Sequence, residues 1–501
     1  MAPFLAIPFM APRLLGLIFY LPRSSEFVIT GSMKDYSEYP NWVHDAKVCL
    51  KWFIDVMGDE EWVRRRSQVV AYFQQVAEAT YGQSSTSSVT VEPGAYQPMA
   101  VYDDWIGWYM YLVECLVDRP TCDEPMQSAR VYPFFASIGK QVNSLKSVVG
   151  VDKRILELLN QKQNQPDPTL YELIVAACYC RNGWDVGFIE EHPSTKTPDF
   201  WAKKDGRVIQ VECKRMAKTT AYAEEERQDW LRRWKRLNSR LTIKQPSLHL
   251  KVRFKVPVRD TQIDVLLDLF EAGYQNSDTY EFSTSNDFVE LKVEEIDMSS
   301  VNAHFEKYHV KSPSPQMIKL LAGEYIPTGN YTMMVVPESV AMIGEDDGLH
   351  ACDAFYTGIK HAFSAEWTCD ALESIDAKAK EARRVLRKAL GQMQDGMPGV
   401  IHIGYETLSG SFVEFARHSK IAMIVNALDV GSKDIKAVFF NAFQCVASVD
   451  QQFECAETTL SFGNSNDMPP DEILAHQLML DRDDTQAVDD THWRQDFEKI
   501  L

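Results

Sequence analysis

The chain is poor in positive charge and lacks most of the compact motifs that announce a chemistry. It carries 52 lysines and arginines against 71 acidic residues, a formal net charge of −19 over 501 residues. A chain this acidic repels nucleic acid as a whole, which argues against a coat or packaging role; any nucleic-acid contact needs a local basic patch or a partner that supplies one. Among the ten cysteines there is no C-x-x-C pair and no paired metal-ligand spacing. Cys178 and Cys180 are two apart in a helical stretch, so their side chains diverge. Free buried thiols in a reducing cytoplasm are the simplest account. No Walker-type phosphate loop and no H-E-x-x-H occurs, so neither an ATP-driven motor nor a zinc protease is supported. His304 and His309 are five apart, a poor spacing for a helical metal pair, and Ser409-Gly-Ser411 lacks a nucleophile elbow. Long apolar runs are also missing. The stretch from Phe4 to Leu21 is broken by Pro8, Pro12 and Arg13 and has no basic segment before it, so no stable membrane insertion is expected.

What remains is an ordinary globular composition, 45% hydrophobic and 25% charged. The length fits two or three domains. Residues 1–32 read as a disordered leader or a start-site artefact. Residues 33–160 read as a mainly helical accessory domain, because Trp42, Val43, Ala46, Cys49, Leu50 and Phe53 recur at spacings of three and four. Ser84 to Ser88 with Pro93-Gly94 mark a loop, and Arg64-Arg65-Arg66 a solvated helix face, with nucleic-acid contact as the lesser reading. Residues 161–460 alternate helix, turn and strand, which implies a mixed α/β layer architecture with an insertion near 257–375. Residues 461–501 are polar and acidic and read as a tail, flexible or loosely docked from Asp481 to Asp490.

The chemistry concentrates between Thr169 and Arg215. Asp167-Pro168 starts a helix and Asn182-Gly183 ends it. Trp184 to Glu190 is β-prone, Lys204-Asp205-Gly206-Arg207 is a hairpin turn, and Val208 to Cys213 alternates as a strand. The hairpin can set Asp199 beside Glu212 at one sheet edge. Lys214, two residues on, shares Glu212's face. Two or three carboxylates suffice for a Mg²⁺ ion that keeps several waters, and such an ion supplies much of what phosphodiester cleavage needs. A lysine there can hold the attacking water, and burial would lower its pKa. Bland readings stand beside these. Thr169-x-x-Glu172 is a capping-box pattern, Asp199 can cap a turn, and Glu212 with Lys214 can be a surface ion pair.

Pro198-Asp199 followed by Glu212-Cys213-Lys214, with Glu172 on the preceding helix, resembles the PD-(D/E)xK nuclease superfamily. The resemblance covers about 169–241, with completion by a helix and strand at 377–405. It implies a restriction-endonuclease-like mixed sheet flanked by helices and a Mg²⁺ cofactor for which Mn²⁺ can substitute. Asp199 and Glu212 would hold the metal, Glu172 would assist, and Lys214 would serve catalysis. The Gly183-Trp-Asp-Val wording also looks like nucleases of bacterial defence and mobile elements. The substrate expected is nucleic acid, DNA before RNA, with a protein partner or second copy as a further possibility.

Next comes a helix from about Ala221 to Leu241. Trp230, Trp234, Leu237 and Leu241 form an apolar stripe expected to pack on the sheet. Arg232, Arg236 and Arg240 then face outward, either solvated or along a phosphate backbone, and Arg215 is a phosphate or structural contact. The competing function is a nuclease fold with a dead site that binds nucleic acid or acts as a scaffold.

Overall fold

The computed structural model describes residues 5–8, 11–15, 39–81, 103–190, 196–244, 246–277, 279–343, 351–450, 453–463, 468–481, 486–488 and 490–500. It is mixed α/β, with two sheets flanked by helices.

The larger sheet contains the hairpin legible in the sequence. Phe200–Lys204 and Arg207–Arg215 pair antiparallel around Asp205 and Gly206, both at positive φ (52° and 78°). Two left-handed central residues give the turn a twist that matches the strands, and glycine adopts that conformation without strain. Asp185–Phe188 extends the sheet on one side. On the other, Arg207–Arg215, Pro398–Glu406 and Asp434–Ala447 run parallel, and Phe453–Gly463 returns antiparallel. Parallel strands need crossovers and covered faces. Here Pro166–Arg181 covers one face, and Ala382–Leu390 with Ser411–Asn426 covers the other. The 166–181 helix lies so close that a Cβ on Gly404 would stand 2.6 Å from the Tyr171 ring.

The helices at 41–160 share a core with this sheet. Trp42, Phe53, Trp108 and Phe135 belong to one continuous cluster with Phe200, Val211, Phe443 and Phe453. The division expected at residue 160 therefore does not separate two cores. Arg65, expected to be solvated, is buried: its Nη1 donates to the Leu159 carbonyl at 2.8 Å and its guanidinium pairs with Asp104. The loop expected at 84–88 and 93–94 lies outside the described residues.

The Ala221–Lys244 helix corrects another expectation. Its stripe packs not on the sheet of the Glu-x-Lys strand but on a second, five-stranded sheet. That sheet runs Phe282–Ser285, Val289–Glu295, Leu248–Phe254, Ala354–Cys369, Asn330–Met342. Trp230 stacks on Trp367 with ring centroids 5.3 Å apart and donates from Nε1 to Thr332 Oγ1 at 2.8 Å. The inserted layer thus begins near residue 221, well before 257, because the helix needs the later strands to bury its tryptophans.

Described segments toward both termini join the large sheet. Leu5–Pro8 and Ala11–Leu15, in the leader read as disordered or a start-site artefact, pair with Phe453–Gly463. In the expected acidic tail, Ile473, Leu474, Met479 and Leu480 are buried in the main core. Trp184 Nε1 donates to the Ile473 carbonyl at 2.8 Å, and Glu457 accepts the Met479 and Leu480 N–H groups at 2.8 and 2.9 Å. Part of the flexible stretch expected at 481–490 (482–485 and 489) lies outside the described residues. Cys445 and Cys455, expected as free thiols, face each other across adjacent strands and form a disulfide; the other eight cysteines are free. A ten-residue gap in sequence gave no sign of that register. Among the described residues, no helix is long and apolar enough to cross a membrane.

A docked segment predicts a measurable cost. Leu474→Ala should lower unfolding stability in urea by about 2–5 kcal/mol, the usual range for a buried leucine. A loss below about 0.5 kcal/mol would mark a segment that merely lies on the surface.

Candidate active site

Three elements bring the expected residues together. Asp199 precedes the Phe200–Lys204 strand, and its backbone already lies in the ladder: its N–H donates to the Val211 carbonyl at 3.1 Å, and its carbonyl accepts from Ile189 at 2.9 Å. Its side chain is fixed by the neighbouring strand, where the Cys213 N–H donates to Oδ2 at 2.7 Å. Glu212 and Lys214 project from the same face of Arg207–Arg215 and touch each other. Glu172 sits in the second turn of Pro166–Arg181. That helix starts at Pro166 after Gln165, not at Pro168 as expected, so Thr169 is inside the helix and Glu172 is not part of a capping box. Thr169 Oγ1 is buried without a hydrogen bond.

The residue that sequence reasoning missed is Arg154, on the helix Val151–Asn160. Its guanidinium bridges the acids: Nε donates to Glu172 Oε2 at 2.7 Å, Nη2 to Asp199 Oδ1 at 3.0 Å and Nη1 to Glu157 Oε2 at 3.2 Å. Its side chain is only 4% exposed. A signal existed. Arg154 falls among Val151, Ile155, Leu158 and Leu159 on the buried stripe of its helix, and a charge in that place needs a partner. The helix is aimed by its first residues: Val149 bridges Gly187 at the sheet edge, and the Phe188 N–H donates to the Val149 carbonyl at 2.8 Å.

The electrostatics follow from burial and from the charge count. Glu212 is fully buried; Lys214 touches its Oε1, and its Oε2 has no partner. Burial, then the Asp199 carboxylate, push its carboxyl up to about 9. The same two causes push Glu172 up to about 8, with Arg154 opposing. Lys214, for which a lowered pKa was expected, is instead raised, because Asp199 and Glu212 together outweigh its burial. Glu212 and Lys214 thus both lean toward the protonated form although they touch. Acids outnumber the two cations Arg154 and Lys214 here, and the Glu172 and Glu212 carboxyls both hold their protons to higher pH than usual.

The expected basic contacts divide. Arg215 is enclosed rather than presented to a phosphate: it pairs with Glu406 at 3.0 Å, and its guanidinium lies over the rings of Phe134, Tyr171 and Phe443 at 5.7, 6.0 and 5.2 Å. Arg130 pairs with the same Glu406 from the helix Pro125–Lys140, donating at 2.8 and 2.5 Å. Burial pushes the Glu406 carboxyl up, but Arg130, with Arg215 and Lys218, overcomes it and holds it down at about 2. Arg232, Arg236 and Arg240 do face outward, each beside an acid: Asp229, Asp264 at 2.7 Å and Glu271 at 3.3 Å. They belong to the inserted layer, not to the elements that hold the carboxylates. Exposed pairs of this kind contribute about 0–1 kcal/mol each and exchange partners readily.

Among the described residues, no set of three or more His, Cys, Asp or Glu side chains is grouped to hold a metal ion. A guanidinium stands between two of the three acids instead. The fold and site define a mixed α/β protein with a buried acid–base cluster. Comparison with protein-family models, with curated proteins and with solved structures finds no match to this chain.

A pH dependence follows. Carboxyls that titrate higher in the folded than in the unfolded chain hold an extra proton when folded. Their contribution to stability is complete below the ordinary value of 4.5 and is lost as pH rises through about 8 for Glu172 and about 9 for Glu212. In EDTA, unfolding stability should therefore decline from about pH 5 to about pH 9, and Glu212→Gln should flatten that slope. Stability that climbs over the interval equally in both proteins would refute the assignment.

Proposed function

We propose that the chain is a metal-dependent nuclease that hydrolyses phosphodiester bonds, DNA before RNA, and acts as an effector in a bacterial defence system. The observation that carries the reading is Glu212: a fully buried carboxyl beside Asp199, with Lys214 touching Oε1 and no partner on Oε2. Burial with an incomplete set of partners is what raises this carboxyl, and a cation at its open oxygen would favour the ionised form. Its oxygens, with those of Asp199, are the hard donors that Mg²⁺ or Mn²⁺ takes. The order of the elements also agrees with the PD-(D/E)xK resemblance. A helix with Glu172, a strand, the Pro-Asp turn and the Glu-x-Lys strand are followed by the helix 382–390 and the parallel strand 398–406.

In this reading Asp199 and Glu212 would hold the ion, which would polarise the scissile phosphate and lower the pKa of water. The residues supply the rest. Lys214, cationic beside Glu212, offsets the phosphate's charge and orients the attacking water. Glu172, with its raised carboxyl, retains a proton that can pass to a leaving oxygen. Cys213 contributes through its backbone, fixing the Asp199 carboxylate.

A second reading is favoured by one observation. Arg154 already neutralises Glu172 and Asp199, as it would in a nuclease fold kept for binding nucleic acid or for scaffolding.

Incubation with circular DNA, linear DNA and RNA in Mg²⁺, Mn²⁺ or EDTA separates the two. Wild type should cleave only with a divalent ion, and Asp199→Ala and Lys214→Ala should each lose at least about a hundredfold in rate while remaining folded by circular dichroism. Cleavage retained in both variants would place the chemistry elsewhere. Nucleic-acid binding without turnover in any metal would favour the second reading.

A further inference from the structure

The geometry points to Arg154 as an internal cation that holds the carboxylate cluster until a divalent ion displaces it from Asp199. This rests on the reading of Asp199 and Glu212 as metal ligands. Both Asp199 oxygens are committed: Oδ2 accepts the Cys213 N–H and Oδ1 accepts Arg154 Nη2. The Cys213 bond belongs to the backbone of a central strand and is fixed. Oδ1 is the oxygen not held by the strand backbone, and an ion that takes it requires Arg154 Nη2 to give up its bond there.

The structure provides the place to which Arg154 yields. Its Nη1 already reaches Glu157, one turn along the same helix and more exposed than the other two acids. The Phe188 ring lies 5.8 Å from the guanidinium and guides it along that edge. Withdrawal toward Glu157 keeps the arginine paired, so no bare charge is buried during the exchange. Glu212 keeps Oε2 open to the incoming ion, since Lys214 touches Oε1. The Glu212 side thus engages first and Asp199 second. With Arg154 in place, the site repels divalent ions and takes them up weakly. The helical layer at 41–160, which bears no catalytic motif, thereby sets the metal affinity of a site on the sheet.

The test is binding of the metal alone. Mn²⁺ is titrated calorimetrically into wild type, Arg154→Met and Arg154→Lys, with thermal melts in EDTA and in Mn²⁺. Arg154→Met should bind Mn²⁺ at least about tenfold tighter than wild type, having lost a competing charge. It should melt lower than wild type in EDTA and recover in Mn²⁺. Arg154→Lys keeps the charge and should fold, but a single ammonium cannot span both acids as the guanidinium does, so it should bind with intermediate affinity. Equal or weaker Mn²⁺ affinity in folded Arg154→Lys overturns the displacement while leaving the metal reading intact. Absence of Mn²⁺ binding in wild type and both variants overturns the two together.

Discussion

One guanidinium ties this structure together. Arg154 is 4% exposed and bridges Glu172 on a helix to Asp199 at the sheet margin. Removing an ion from water costs several kcal/mol, and partners must offset that cost with good geometry. Neither the acids nor the arginine can be buried without the others. The helix Val151–Asn160 must therefore dock where it does, with its leading segment bridged to the sheet edge through Val149 and Gly187. The helical layer and the sheet close around a shared charge cluster as much as around a shared apolar core.

A second ionic tie works in parallel, beside Asp167 and Tyr171 of the helix Pro166–Arg181. Arg130 and Arg215 converge on Glu406, which ends the strand parallel to the Glu-x-Lys strand. Two cations on one acid hold that carboxylate ionised, whereas two cations outnumbered by acids leave Glu172 and Glu212 holding their protons to higher pH than usual. The two clusters are built from the same residue types. They differ in the balance of positive and negative groups, and that balance sets which carboxyl is held down and which are pushed up. Between the Glu-x-Lys strand and its parallel neighbour the chain inserts a second sheet with its own tryptophan-rich core. The crossover that a parallel pair requires is thus enlarged into a further layer.

Local pattern decides some of this protein. The alternation after Gly206 sets a strand, and a period of two puts Glu212 and Lys214 on one face whatever else happens. The Asp205-Gly206 turn fixes the hairpin, and with it the approach of Asp199 to Cys213. The stripe of Trp230, Trp234, Leu237 and Leu241 makes its helix amphipathic. These are short-range consequences of backbone geometry, and the sequence alone is enough to determine them.

What the stripe packs against, and what neutralises the acids, were decided only by the tertiary structure. Trp230 finds Trp367, more than a hundred residues away, and Cys445 finds Cys455 through strand register. Leu474 and Leu480 sit in a polar, acidic stretch, yet they fill the main core because Glu457 and Asn182 bind the backbone around them. Arg154 stood out in the sequence only as a charge on a buried stripe, with no indication of its partner. Ion pairing and core packing join groups by distance in space, and sequence periodicity carries no record of that distance beyond the element in which each residue lies.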